Sequence, residues 1–230
     1  MNARVQPGGG RFVTLEGPDG AGKSQLGESL AAALRERGST VLLVREPGGT
    51  GLGEAVRRIL LDRGLTHAPA ADALLFNAAR AQLVADVIRP ALARGEIVVC
   101  DRYADSTLAY QGYGSGFDLG ALRAMAAVST GGLAPDRTIL LDVPVEVGLE
   151  RRRLGPAGER TRFEDDARHD RAFHERVRAG YRALAAAEPD RWRTVDATAP
   201  LAGVLAAVLA ALADLLPASE PTVATGRTVG

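Results

Sequence analysis

The 230-residue chain carries a single cysteine, Cys100, which excludes an intrachain disulfide and a zinc site built from several thiolates. No sign of charge prevails. Lys and Arg total 28 and Asp and Glu total 28, so there is no long-range field to draw nucleic acid or an anionic membrane. Any polyanion site must then be local. Leu201–Leu216 is apolar, but it is too short to span a bilayer and carries Asp214, so a packed helix is expected there. Met1–Gly10 has no apolar segment ahead of a cleavage site and does not read as a signal peptide; a reducing cytosol is the simplest setting. His67, His169 and His174 lack metal-ligand spacing and are expected as solvated side chains. There is no internal repeat, and no linker is long enough to divide the chain into separate domains. Residues 11–216 are therefore expected as one domain, between loose tails at 1–10 and 217–230 that are rich in Gly, Pro, Ser and Thr.

What the sequence does have is alternation. Short β-type runs at Arg11–Glu16, Thr40–Arg45, Glu96–Asp101, Arg137–Val143 and Trp192–Asp196 are separated by stretches of helical period. The helices are expected at about Lys23–Arg37, Leu52–Asp62, Ala70–Arg94, Leu119–Ser129, Val145–Arg153, Asp166–Glu188 and Leu201–Leu216. Gly38, Gly64 and Gly95 stand where helices should stop, and Pro69 and Pro200 where helices should start. The pattern predicts a three-layer α/β domain with a five-stranded parallel sheet flanked by helices.

Gly17-Pro18-Asp19-Gly20-Ala21-Gly22-Lys23-Ser24 follows the first strand and opens the first helix, fitting G-x-x-x-x-G-K-[ST] in the context that motif needs. Its glycines let backbone N–H groups turn inward around phosphate oxygens. The helix directs its positive end to the same place, Lys23 adds charge, and Ser24 is the expected magnesium ligand. Binding of a nucleoside triphosphate follows. The run Glu96–Asp101 ends a buried strand on a carboxylate, as a strand that helps hold magnesium requires, and Arg102 comes next. Ile139-Leu140-Leu141-Asp142 is the second candidate for that strand. Cys100 is expected as a small core residue.

With these landmarks the chain resembles the thymidylate kinase family, nucleoside monophosphate kinases that phosphorylate dTMP from ATP on the way to dTTP. The resemblance rests on FVTLEGPDGAGKS (12–24), REPGGTGLGE (45–54), LLFNAARAQLV (74–84), DRYADSTLAYQG (101–112), PDRTILLDVPVEVGLERR (135–152), TRFE (161–164) and VDATAP (195–200). It implies a P-loop NTPase fold, Mg-ATP as donor, dTMP as acceptor and a homodimer. It further implies that Arg102 grips the acceptor phosphate near magnesium, with Asp101 beside the ion, and that Asp19 meets the deoxyribose 3′-hydroxyl. Phe76 and Arg80, at a spacing that makes helical side chains neighbours, become the stacking and hydrogen-bonding partners of thymine. Ser106, Thr107, Tyr110 and Gln111 close over base and sugar, with Tyr110 crowding a ribose 2′-hydroxyl, and Arg45 and Glu46 orient the acceptor end.

The acceptor phosphate oxygen is already a nucleophile, so positioning and charge neutralisation are the chemistry required. Water must be kept out, and Arg153–Arg162, with Gly155, Pro156 and Gly158, is expected to be the lid that does so. Some members of the family carry a basic residue directly after the loop carboxylate; others have glycine there and a catalytic arginine in the lid. Gly20 groups this chain with the second kind, which leaves Arg151, Arg153 and Arg160 as rival catalytic candidates, with Arg153 favoured and Arg162 as an anchor of the lid's return. Adenine is expected near Asp196-Ala197-Thr198. Two other readings stay open: a kinase for dUMP or dCMP on the same scaffold, and a nucleotide-dependent switch. The switch is opposed by the lack of an N/T-K-x-D run and by the arginine-rich acceptor side.

Overall fold

A computed structural model describes residues 9–154 and 170–216 of the chain. Arg160 and Arg162, most of the expected lid, the first residues of the helix expected from Asp166 and nearly all of both tails lie outside the described residues. Five strands, β1 (Arg11–Glu16), β2 (Val41–Arg45), β3 (Ile97–Asp101), β4 (Arg137–Asp142) and β5 (Trp192–Asp196), run parallel in the order β2-β3-β1-β4-β5. Their bounds agree with the sequence pattern to within one residue at each end.

Helices cover both faces. They are α1 (Lys23–Glu36), α2 (Gly51–Leu61), α3 (Pro69–Leu83), α4 (Arg89–Ala93), α5 (Ala104–Thr107), α6 (Leu119–Thr130), α7 (Val145–Leu154), α8 (Arg171–Ala187) and α9 (Leu201–Ala211). Strand alternation sorts β1 between two cores. Val13 and Leu15 pack with Leu26, Leu30 and Leu34 of α1 and Val204 and Val208 of α9. Phe12 faces the other way, against Leu83, Ile88, Leu92 and Tyr103. Thr14 and Glu16 share the parity of Phe12, so that column turns polar toward the carboxyl edge, where Glu16 is fully buried. Burying one such leucine contributes about 1.5–3 kcal/mol, enough in aggregate to tolerate a few buried polar groups at that edge.

The single helix expected over Ala70–Arg94 is interrupted: α3 widens into a π-helical turn at Val84–Ile88 before α4 resumes. Pro90 is the physical reason. It has no N–H to give the carbonyl four residues back, and its ring crowds that carbonyl, so the preceding turn opens. A second helical stretch, α5 continued by π-helical Leu108–Gly114, was not among the expected helices. The last helix ends at Ala211, short of the expected Leu216.

Register brings three loops to one edge. Asp101 lies level with Leu15 and Arg45. The N–H of Arg102 donates to the Leu15 carbonyl at 3.0 Å, and the N–H of Glu46 donates to the Asp101 carbonyl at 2.9 Å. The segments after β1, β2 and β3 are thereby held together at the carboxyl ends of adjacent strands, where doubly wound folds bind ligands.

Candidate active site

The phosphate loop turns on Gly17, Gly20 and Gly22, all at positive φ. It is also packed too closely for side chains. A Cβ on Gly20 would overlap the Gly148 carbonyl of α7, and one on Gly148 would come within 2.5 Å of the Asp19 carbonyl oxygen. Lys23 curls back, donating to the carbonyls of Gly17 at 3.0 Å and Pro18 at 2.8 Å. Burial, with the Arg102 charge nearby, lowers its ammonium to about 8 against the pull of Asp101, Asp19 and Glu16. Ser24 Oγ donates to Asp101 Oδ2 at 2.6 Å, so of the two candidate strands it is β3 whose carboxylate meets the loop hydroxyl. Asp142, the β4 candidate, is instead clamped by Arg178 at 2.7 Å and Arg182 at 2.6 Å. Asp101 Oδ1 is buried and accepts no hydrogen bond among the described residues. A hydroxyl and an unsatisfied carboxylate oxygen side by side are the hard oxygen donors that magnesium and its waters take.

Arg102 is the one non-glycine residue with positive φ (69°) among the described residues, a conformation costing about 1 kcal/mol or more. Its N–H bond to Leu15 and a bond from Cys100 Sγ to its carbonyl at 2.9 Å hold it there. Cys100 is otherwise the buried core residue expected, with burial pushing its thiol pKa up. The Arg102 guanidinium donates to Asp19 Oδ1 at 2.5 Å, to Tyr110 OH at 3.1 Å, to Ser106 Oγ at 3.2 Å and to Tyr181 OH at 3.3 Å. It also lies over the Tyr110 ring, 4.9 Å from the centroid. Asp19 receives Arg152 as well, at 3.0 Å. Burial alone would raise the Asp19 pKa, but Arg102, Arg152 and Lys23 together bring it far below the ordinary carboxylate value.

A cavity of about 230 Å³ opens from this cluster, sized for a nucleotide rather than a few waters. Its far end is built on Arg80, whose side chain is 1% exposed. Nε donates to Glu46 Oε2 at 2.8 Å, NH1 to Asn77 Oδ1 at 3.2 Å, and NH2 to the Tyr103 carbonyl at 3.2 Å and to Thr107 Oγ1 at 3.1 Å. A guanidinium has five N–H bonds, so one on NH1 is left over among the described residues. Glu46 lines the cavity, and its Oε1 is buried and without a partner among the described residues. Burial raises the Glu46 pKa and Arg80 only partly offsets this. Phe76, Thr107, Tyr110 and Gln111 line the same cavity, as the sequence led one to expect.

Other expected residues are elsewhere. Arg45 is exposed, 3.9 Å from Glu54, and does not line the cavity. Arg153 points away from it and pairs with Glu150 at 2.7 Å. Arg151 donates to the carbonyls of Ala197 at 2.8 Å and Thr198 at 3.3 Å, the segment expected to meet adenine. Of the three consecutive arginines of α7, the one that lines the cavity is Arg152, which sequence reasoning passed over. The signal was its spacing: Arg152 is four residues after Gly148, the α7 position that touches the phosphate loop, and shares its face. Residues 151 and 153 are turned about 100° to either side. Two of the histidines expected as solvated are not: His174, on the inward face of α8, is buried and lines the cavity beside Phe173, and His67, in the loop before α3, is partly buried and hydrogen-bonded to Asp72 at 2.8 Å, while His169 lies outside the described residues.

A phosphate-binding loop whose lysine faces a second, arginine-lined anion site on the next strand defines a P-loop phosphotransferase acting on nucleotides. A family model described as "Thymidylate kinase" matches residues 15–208. The chain is 56% identical over 205 residues to a thymidylate kinase of Thermomicrobium roseum, covering 89% of this chain and 95% of the relative. It is 50% identical over 220 residues to that of Roseiflexus castenholzii, covering 91% and 95%. The crystal structure of thymidylate kinase from Ehrlichia chaffeensis superposes with a TM-score of 0.71 at 32% identity, covering 89% of this chain and 99% of that one. The chain belongs to the thymidylate kinase family.

Proposed function

We propose that this protein transfers the γ-phosphoryl group of ATP to dTMP, giving dTDP and ADP. The reading rests above all on the pairing of Lys23 in the phosphate loop with Arg102 at the mouth of a nucleotide-sized cavity, the two cations sharing Asp19 as a charged neighbour. ATP lies with its phosphates in the loop of residues 17–24. Magnesium, taken by Ser24 and the free oxygen of Asp101, would supply charge neutralisation on the phosphate oxygens. Lys23 leaves the Gly17 and Pro18 carbonyls for the transferring phosphates. Arg102 takes the dTMP phosphate and holds it in line, and Arg152, drawn to the same point by Asp19, neutralises charge as the phosphoryl group moves. No general base is needed.

Base selection falls to Arg80 and its surroundings. The leftover N–H matches the O4 acceptor of thymine and opposes the amine of cytosine, and an unpaired buried donor costs about 1–3 kcal/mol. Phe76 offers its ring for stacking, and Tyr110 leaves no room at a ribose 2′ position. The cytosol supplies ATP and keeps Cys100 a thiol. A homodimer is the assembly the family reading implies; Leu74 of α3 and Val128 of α6, exposed at 56% and 85% on helices that pack together, give it apolar surface.

Coupled ADP release across a panel of monophosphates tests the proposal. The expected order is dTMP first, dUMP reduced by the loss of one methyl contact, and dCMP and UMP poor. Preference for dCMP, or steady ATP hydrolysis indifferent to any monophosphate, would overturn it.

A further inference from the structure

Glu16 sits one residue before the phosphate loop and is not itself among the residues that line the cavity. A fully buried carboxyl is an expensive way to end a strand, since an apolar side chain would fill the space without the loss of hydration. Its contacts supply the reason. Oε1 accepts the Tyr103 N–H at 2.7 Å. Oε2 accepts the hydroxyls of Ser106 at 2.6 Å and Tyr181 at 2.9 Å, which are themselves 2.9 Å apart. Those two hydroxyls are the ones that Arg102 NH1 approaches at 3.2 and 3.3 Å.

We infer that Glu16 is a positioning residue for phosphoryl transfer: as a triple acceptor it aims the Ser106 and Tyr181 hydroxyls so that their lone pairs hold the Arg102 guanidinium at the acceptor phosphate. The inference rests on the proposed kinase function and adds a residue to it. Each hydroxyl has one proton, and Arg102 can only donate. With both hydroxyl protons turned to the carboxylate, oxygen lone pairs are left for Arg102. A glutamine cannot reproduce this. If its oxygen faces the hydroxyls, its amide N–H meets the Tyr103 N–H; if its oxygen faces Tyr103, its N–H drives the hydroxyl protons toward Arg102.

Protonating Glu16 brings about the same reversal. Burial, and then the like charge of Asp105 on α5, lift its pKa to about 7, opposed by Ser106, Arg102 and the Tyr103 N–H. The other ionisable groups that sense it are Lys23 of α1, Tyr181 of α8 and Cys100 of β3. The grip on the acceptor phosphate should therefore loosen as pH falls through neutrality.

The test is calorimetric binding of dTMP and of ADP to the full chain, wild type and Glu16→Gln, each also in an Arg102→Ala background. At pH 8 the expected result is at least tenfold weaker dTMP binding, ADP binding within twofold, and less than a twofold effect of Glu16→Gln once Arg102 is gone. Between pH 8 and pH 6 the wild type should lose dTMP affinity more steeply than Glu16→Gln, because titration of the ligand's own phosphate is common to both. Wild-type dTMP affinity in Glu16→Gln, additive effects in the double variant, or parallel pH profiles would each overturn the inference. Should Glu16→Gln fail to fold by circular dichroism, Tyr181→Phe keeps the carboxyl and removes one relay. Its dTMP affinity should fall several-fold only while Arg102 is present, and an unchanged value is equally fatal. Failure of the wild type to bind dTMP at all would instead strike the proposed function.

Discussion

Arg80 and Arg102 are both paired with a carboxylate in one cavity, yet they are held in opposite ways. Arg80 is sealed: four of its five N–H groups are engaged by Glu46, Asn77, Tyr103 and Thr107, and its side chain is 1% exposed. Arg102 keeps 21% of its side chain in solvent, and apart from the 2.5 Å bond to Asp19 its contacts are hydroxyls and a carbonyl at 3.1–3.4 Å. A guanidinium matched by a buried anion has little left to offer a charged ligand and serves shape and hydrogen-bond selection. One whose carboxylate is partly exposed and shared with a second arginine, Arg152, and whose other partners are neutral oxygens at longer range, remains able to take a phosphate. On the proposed function, the cavity thus has a fixed end suited to reading the base and a responsive end suited to receiving charge.

Breaking the responsive end should give the largest effect. Arg102→Ala should lower kcat/KM for dTMP by about a thousandfold, roughly 4 kcal/mol of barrier, while leaving ADP affinity and Tm near wild type. Equal losses for donor and acceptor would mean that the two ends are not separable. At the fixed end, Arg80→Ala strands the Glu46 carboxylate and should cost about 3 kcal/mol of folding stability in chemical denaturation, with the preference for dTMP over dCMP collapsing as well. Retention of both would show that Arg80 is dispensable to shape and selection alike. On α7, Arg152→Ala should cut kcat by about ten- to a hundredfold with KM for ATP nearly unchanged. Arg153→Ala, losing only an exposed pair with Glu150, should stay within about twofold; the reverse ranking would return the role to Arg153.

The smallest expected effect is on stability against pH. Glu16 has a folded pKa of about 7, raised from 4.5, so the native state holds a proton that the unfolded chain has lost in that window. The stability Glu16 contributes is then complete below about 4.5 and lost as pH rises through about 7. Relative to Glu16→Gln, the ligand-free wild type should lose a few degrees of Tm between pH 5 and pH 8. A gain over that range would reverse the assigned sign.

Strand bounds, the phosphate loop and most of the cavity lining could be read from the sequence because each has a local signature. Alternating apolar residues mark β1 to β5, glycines at fixed spacing mark residues 17–22, and Phe76 and Arg80 share a helix face. What escaped was set by geometry between segments. Arg152 could not be told from Arg151 and Arg153 until Gly148 was seen against Asp19. The π-turn before Pro90 depends on a helix continuing past it. Glu16 and Tyr181, 165 residues apart, meet only because α8, packed on β4, β5 and the π-helical stretch 108–114, carries Tyr181 to the carboxyl end of β1. His174 was misjudged for a related reason: a histidine is polar by type, while the face of α8 that carries it is turned inward.

The mutual contact of Gly20 and Gly148 has an evolutionary corollary. A long cation placed directly after Asp19 would have to displace the opening turn of α7, the helix that one turn later delivers Arg152 to Asp19 from the other side. On the proposed function, a cation at position 20 and Arg152 therefore compete for one volume, and exchanging Gly20 alone for arginine would disturb both. The intermediate would carry a displaced helix and a misplaced Arg152 together, so the trade requires at least two coordinated changes, one in the loop and one in the helix that backs it.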